Sequence, residues 1–204
     1  MTKTVIVKIG GSLLRRPDCS AAMKRWLDAA LLASPSSHFL LLVGGGELVD
    51  RLRELSRRHE ISEATAHWLA IDLMAINAQI VADLIPGLEI ESSFESLDAR
   101  RRLPGATLMD VRQVLRVKEP LAPGTKLEAT WSTTSDSIAA RMAVLLAAEL
   151  VLLKEACPPS AWRGADWGEL ASVGLVDASF SLFAAEISHV EVQRIRETGR
   201  RKPL

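Results

Sequence analysis

The sequence predicts an α/β protein, and three observations carry that prediction: two short apolar runs of strand character, glycines directly after each, and helical periodicity in between. The first run, Val5-Ile6-Val7-Lys8-Ile9, is β-branched and apolar at every position except Lys8, the pattern of a strand covered on both faces. The second, Phe39-Leu40-Leu41-Leu42-Val43, is apolar throughout. With 204 residues the chain is long enough for a full α/β core, and a single domain is expected.

Each element has a local cause. Asp18 stands where a cap is wanted for a helix to about Leu32, with Met23, Trp26, Leu27, Ala30 and Leu31 as its apolar stripe. Ser34-Pro35-Ser36-Ser37 ends it. Glu47 to Arg53 begins an amphipathic helix, and Ser62 caps a longer one to about Leu84. The inner face of that helix reads Ala66, Leu69, Ala70, Leu73, Ile76, Asn77, Ile80, Val81 and Leu84, and Pro86-Gly87 stops it. Residues 88 to 131 are less regular, with short segments at Leu88-Glu89-Ile90 and Ala106-Thr107-Leu108-Met109 before a Pro120/Pro123/Gly124 loop. Hydroxyl residues Ser132 to Ser137 crowd the start of a further helix, and Glu149 to Lys154 reads as the next strand.

The candidate chemistry sits at the glycine turns. A lysine buried in a strand without a partner costs several kcal/mol, so Lys8 should face a cavity holding an anion. Gly10-Gly11-Ser12 follows it, and backbone free of side chains there can turn amide N–H groups toward that anion. Gly44-Gly45-Gly46 stands between the second strand and the Glu47 helix, where strand, glycines and helix dipole again favour a phosphate or carboxylate. Three glycines also suit a tight βα connection. Two such turns at carboxyl ends of strands point to two anionic groups above one sheet edge. Asp136, in the first turn of its helix, suits either the dipole or catalysis.

Composition bounds the partners. The 25 basic and 25 acidic side chains balance, so no global field draws the chain to nucleic acid or membrane. Cys19 and Cys157 form no motif, and His38, His59, His67 and His189 lack metal-site spacing. The apolar region from Ile138 to Leu153 is interrupted by Arg141 and Glu149 and is not a membrane span. A strand directly after Met1-Thr2-Lys3 argues against a signal peptide, and a cytoplasmic location is expected.

Together, Val7-Lys8-Ile9-Gly10-Gly11-Ser12, Gly44-Gly45-Gly46 and Thr134-Ser135-Asp136-Ser137-Ile138-Ala139-Ala140 resemble the amino acid kinase superfamily of acetylglutamate, aspartate and uridylate kinases. The resemblance covers most of the chain. It implies a three-layer α/β/α sandwich with a central, mainly parallel sheet, an acceptor and oligomer lobe over about 1–128, a shortened nucleotide lobe over about 129–193, and a homo-oligomer, dimer or larger. It also implies ATP and Mg²⁺. By matching position, Lys8 and Asp136 take the catalytic roles, Lys8 on the transferred phosphoryl group and Asp136 organising lysines and Mg-nucleotide. Gly10, Gly11, Ser12 and Ser135 fall to ATP phosphates, and Gly44, Gly45 and Gly46 to a small anionic acceptor.

A narrower resemblance rests on Ala66-His67-Trp68-Leu69-Ala70-Ile71, on Trp131 to Ala140 and on Gly174-Leu175-Val176-Asp177-Ala178-Ser179-Phe180. These are similar to the small kinases of methanofuran biosynthesis. It implies an aminomethyl-furanmethanol phosphate as acceptor, giving a diphosphate ester, and adds His67 to the acceptor site, where packing under a loop is the other reading. An acetylglutamate-like carboxylate or a nucleoside monophosphate is the alternative acceptor, and a non-catalytic nucleotide or oxyanion scaffold, or a subunit of a biosynthetic complex, is the alternative class. Two departures stand out. The second catalytic lysine of many relatives has no clear counterpart, leaving Lys154 either to reach the nucleotide or to end its strand in solvent. The family's closing strand is also missing, and the chain ends in a basic tail, 194–204, expected to be solvated.

Overall fold

The structure is a computed structural model that describes residues 2–155 and 166–195; Cys157 and the tail from 196 lie outside them. Six strands form one sheet: β1 (Lys3–Ile9), β2 (Ser37–Val43), β3 (Ile90–Glu91), β4 (Gly105–Met109), β5 (Glu149–Lys154) and β6 (Val190–Arg194). Their order is β3-β4-β2-β1-β5-β6, and every pairing among the described strands is parallel. The expected tail therefore begins one residue inside β6, on Arg194.

The period-two alternation of the central strands assigns their side chains to two cores. Ile6, Leu40, Leu42, Leu150 and Leu152 enter one cluster, while Val5, Val7, Ile9, Phe39, Leu41, Val43, Val151 and Leu153 enter the other. Helices cover both, which yields the expected three layers. On the second face lies α1 (Cys19–Ala33), through Ala22, Met23 and Leu27, with Trp26, Ala30 and Leu31 packed at its margin. On the first lie α4 (Phe94–Arg100), α5 (Ser135–Leu145), α6 (Trp167–Ser172) and α7 (Ser181–Ala184), whose Leu97, Ile138, Leu170 and Phe183 are buried. Fully burying side chains of this size contributes about 1.5–3 kcal/mol each.

Two local readings are corrected. Asp18 precedes α1, yet its side chain does not cap the helix; the Arg16 guanidinium holds the carboxylate at 2.8 and 2.9 Å instead. The long helix α3 (Glu63–Leu84) does start on a Ser62 cap, which accepts from Thr65 N, but its inner face is rotated from the expected one. Ala66, His67, Ile71, Met74, Ala75, Asn77, Ala78 and Val81 are buried, whereas Leu69, Ile76, Ile80 and Leu84 are exposed. Ala66, Ala75 and Ala78 among them let the helix approach the sheet, and a second aliphatic stripe is left outside. Periodicity alone could not separate two apolar faces of one helix.

Between these elements α2 (Gly46–His59) follows β2 directly. The chain turns from building β2 and its neighbours on one side of β1 to building β5 and β6 on the other. The carboxyl ends of β1, β2 and β5 thus frame the topological switch point, where open α/β sheets bind ligands.

Candidate active site

Lys8 and Lys154 end neighbouring strands. In the β1/β5 register Lys8 pairs with Leu152, so Lys154, two residues on, lies on the same face of the sheet. Asp136, from the first turn of α5, stands between the two ammonium groups. Its Oδ2 accepts from Lys154 Nζ at 2.7 Å, and Lys8 Nζ lies 2.9 Å from Oδ1 as an ion pair without hydrogen-bond alignment. All three are largely withdrawn from solvent: Lys8 and Asp136 are buried, and the Lys154 side chain is 16% exposed. Of the two readings of Lys154, the solvent one is excluded.

Two cations share one anion here. Burial pushes the Asp136 carboxyl up, but the combined pull of Lys8 and Lys154 outweighs it and holds the group below its ordinary value. Burial and then the neighbouring Lys8 push the Lys154 ammonium below the usual lysine range, against the attraction of Asp136. Lys154 Nζ also donates to Leu175 O at 2.5 Å. In direct contact the cluster is two ammonium groups to one carboxylate, with Asp177 a weaker attraction on Lys154.

Above the lysines the two glycine turns interlock. A Cβ on Gly11 would stand 2.2 Å from Gly46 N, and one on Gly46, whose φ is +52°, would stand 2.5 Å from the Gly11 carbonyl. The glycines are therefore required by backbone packed on backbone as well as by open approach to a ligand. Gly10 N donates to Leu153 O and Gly44 N to Ile9 O, both at 2.9 Å, tying each turn to a strand end. Asn77 of α3 donates from Nδ2 to Gly44 O and Gly45 O at 2.8 and 2.9 Å. Sequence reasoning placed Asn77 on the inner face of its helix but missed this duty; a lone amide among aliphatics was the available signal.

The hydroxyl-rich start of α5 is built differently from expectation. Thr134 holds the cap position without a side-chain cap bond. Asp177 does the capping from forty residues away: its Oδ2 accepts from Thr134 N, Thr134 Oγ1 and Ser137 N at 2.7–3.0 Å, and its Oδ1 accepts from Ser137 Oγ and Ser179 N. This fixes the turn that carries Asp136.

A cavity of about 300 Å³ opens over these groups. Lys8, Lys154, Gly10, Gly11, Ser12, Gly45, Gly46 and Ser135 line its polar end, so the predicted phosphate residues converge. Asp136 is not on its wall and meets the lining only through the two lysines. Gly44 lies just behind, where a Cβ would come within 2.8 Å of Ser135 Oγ. The other end carries Val49, Asp50, Arg53, His67, Ala70, Ile71, Met74, Trp131 and Ile138. His67 does reach the cavity, but its Nδ1–H donates to Thr130 O at 3.2 Å, and burial lowers its pKa below the usual histidine value. Among the described residues no group of three side chains could cage a metal ion.

The model of the amino acid kinase family matches residues 3–156. The chain belongs to the amino acid kinase family. It is a phosphotransferase, a kinase in the general sense. Solved structures share the fold: uridylate kinase from Archaeoglobus fulgidus (TM-score 0.63, 18% identity, 95% of this chain and 91% of that one) and UMP kinase from Bacillus anthracis (0.67, 12%, 97% and 89%). Aspartate kinase from Synechocystis is similar over 95% of this chain and 38% of that longer one (TM-score 0.63, 14% identity). No curated protein matches in sequence. The family match ends near β5, so β6, α6, α7 and Asp177 are placed by the structure alone.

Proposed function

We propose that the chain transfers the γ-phosphoryl group of ATP to a small anionic acceptor, a furanmethanol phosphate ester in methanofuran biosynthesis, giving a diphosphate. The observation that carries this reading is the buried Lys8–Asp136–Lys154 cluster beneath two interlocked glycine turns. An acceptor phosphate oxygen forms the new bond to phosphorus while the β–γ bridging bond breaks and its electron pair leaves on ADP. No proton need move, because such an acceptor is ionised at neutral pH. Lys8 and Lys154 stabilise the charge that develops on the transferred group, and the glycine turns hold donor and acceptor in line. Mg²⁺ bound to the nucleotide supplies further charge neutralisation. With no carboxylate cage in the described residues, and with Asp136 already held by two lysines, the donor set fits a cation carried in on ATP phosphates.

The furan branch draws support from the way its three matching segments meet. His67 binds Thr130 beside Trp131, and Asp177 binds Thr134 and Ser137. The first and third segments thus both bond to the stretch from Thr130 to Ser137, which lines the cavity through Trp131, Thr133, Thr134 and Ser135. The scaffold alternative was prompted by a missing second lysine, and Lys154 occupies a position suited to that role. A homo-oligomer is part of this proposal: Leu69, Leu73, Ile76, Ile80 and Leu84 follow the spacing of a helix-pair seam along the outward face of α3, and the same helix of a second copy is the cover that this spacing suits. A cytoplasmic location accords with the finding that no described helix is long and apolar enough to cross a membrane.

The test is ADP release from Mg-ATP by purified protein across aminomethyl-furanmethanol phosphate, N-acetylglutamate and UMP. Turnover with the furan phosphate is the expected result. Turnover only with one of the others moves the acceptor assignment, and thermal stabilisation by Mg-ATP without ADP release from any of them returns the scaffold.

A further inference from the structure

The acceptor end of the cavity has its own wall. Arg53, on α2, and Trp131, in the loop before α5, come from opposite sides and stack, with the guanidinium carbon 4.8 Å from the indole ring centroid. Both residues line the inner cavity, and both line a second hollow of about 300 Å³ outside it, together with Ser56, Arg57, Ile61 and Glu63. The stacked pair is the partition between the two.

Its halves differ in how firmly they are held. The Trp131 loop is pinned through Thr130, whose carbonyl accepts from His67, and through Thr134, bound to Asp177. Arg53 is 34% exposed and donates to the exposed Asp50 only at a long 3.4 Å, so little besides the indole opposes a shift of its guanidinium. Besides the lysines and this partition the cavity presents Val49, Ala70, Ile71, Met74 and Ile138, with Asp50, His67, Thr133 and Thr134 as further polar members. His67 Nδ1, Thr133 Oγ1 and Thr134 Oγ1 are already engaged by Thr130, Ser179 and Asp177, so sugar hydroxyls or a base edge buried there would lose water and find few partners.

Resting on the kinase reading above, we infer that Trp131 and Arg53 are specificity-determining residues that select an acceptor with an anionic head and a compact, planar, apolar body. The head reaches the lysines, the ring packs along the aliphatic wall against the Trp131 side, and Arg53 closes behind it. His67 Nδ1–H holds the Thr130 carbonyl, one residue before the indole.

Calorimetric titration without nucleotide tests this separately from turnover, using furanmethanol phosphate and ribose 5-phosphate as probes. The furan phosphate should bind wild-type protein roughly tenfold or more tightly than the sugar phosphate. Trp131→Ala should erase that preference, and Trp131→Phe should keep most of it. Arg53→Gln should weaken furan phosphate binding about tenfold and Arg53→Lys less, with Mg-ATP thermal stabilisation unchanged in each. Equal binding of the two phosphates, no furan phosphate binding by wild type, or a loss of Mg-ATP stabilisation in these variants matching the loss of acceptor binding would overturn the inference. Loss of Mg-ATP stabilisation in the wild type itself would instead overturn the kinase reading.

Discussion

Helix α5 carries two buried ionic groups less than two turns apart, and they are built to opposite rules. At Asp136 one carboxylate faces two lysines on a cavity floor. At Arg141, fully buried, the guanidinium meets Glu119 Oε1 at 3.1 Å and donates to Pro123 O at 2.9 Å, and Glu119 also accepts from Leu127 N. At the second site one cation meets one anion and staples the Pro120/Pro123/Gly124 loop, with Arg141 Nη1 left without a partner. Two cations to one anion leave the first open to a further anion. Burial does not tell the two sites apart; what does is that the lysines of the first line a cavity.

The largest break expected in this contrast comes from Lys8→Ala. Lys154 and Asp136 would remain as a balanced pair, so the protein should stay folded while turnover falls on the order of 10²–10³-fold, as for other preorganised charge contacts in transition states. Steady-state kinetics with circular dichroism would check it; unchanged kcat would remove Lys8 from the chemistry.

Asp136→Asn and Arg141→Met should separate the two sites by stability. Each leaves buried like charge or a stranded partner and should cost about 3–5 kcal/mol. Adding Glu119→Gln to Arg141→Met should recover much of that loss, because the loop cluster is balanced. No single partner change can rescue Asp136→Asn, since two lysines face the gap. Urea denaturation of the four proteins reads this directly. Specific activity of the folded fraction should survive Arg141→Met and not Asp136→Asn.

A smaller effect lies in pH. Since Lys154 is held below the usual lysine value of 10.5, activity should fall on an alkaline limb that begins below that value. The folded state binds fewer protons than the unfolded state in this window, so the Lys154 contribution to stability rises with pH there. Asp136 has the same sign in the acid range: its folded pKa is depressed, so its contribution is present above the unfolded value of 3.8 and is lost as pH falls through the folded one. Lys154→Arg should abolish the alkaline limb, because guanidinium keeps its proton. A limb that persists would assign it elsewhere.

Much of this contrast was legible in the sequence, and the illegible part has a common cause. Lys8, the glycine turns and Asp136 lie in runs where a strand or helix pattern meets glycine or hydroxyl residues, so local chemistry pointed to them. Lys154 was ambiguous because its role depends on the β1/β5 register, a pairing across more than a hundred residues. Arg141 and Glu119 gave no signal of mutual burial, because the loop between them, 22 residues from end to end, has no periodicity that fixes its path. In α3 the buried and the exposed apolar faces share one period, and only packing decides between them.

The smallest expected effect concerns how α5 is held rather than what it carries. Asp177 accepts five hydrogen bonds, four of them from the Thr134–Ser137 turn, so its carboxylate supplies both the cap and the negative charge that a helix N-terminus favours. Asp177→Asn keeps the shape but loses the charge and presents an amide where Ser137 Oγ donates. A cost of about 1–2 kcal/mol follows from the lost cap. Since Asp136 sits within that turn, kcat should fall more than KM for ATP changes, a split that general destabilisation would not produce. If kcat of the folded protein holds while only the melting temperature drops, Asp177 serves the helix alone, and the geometry of the lysine cluster is set by the strands.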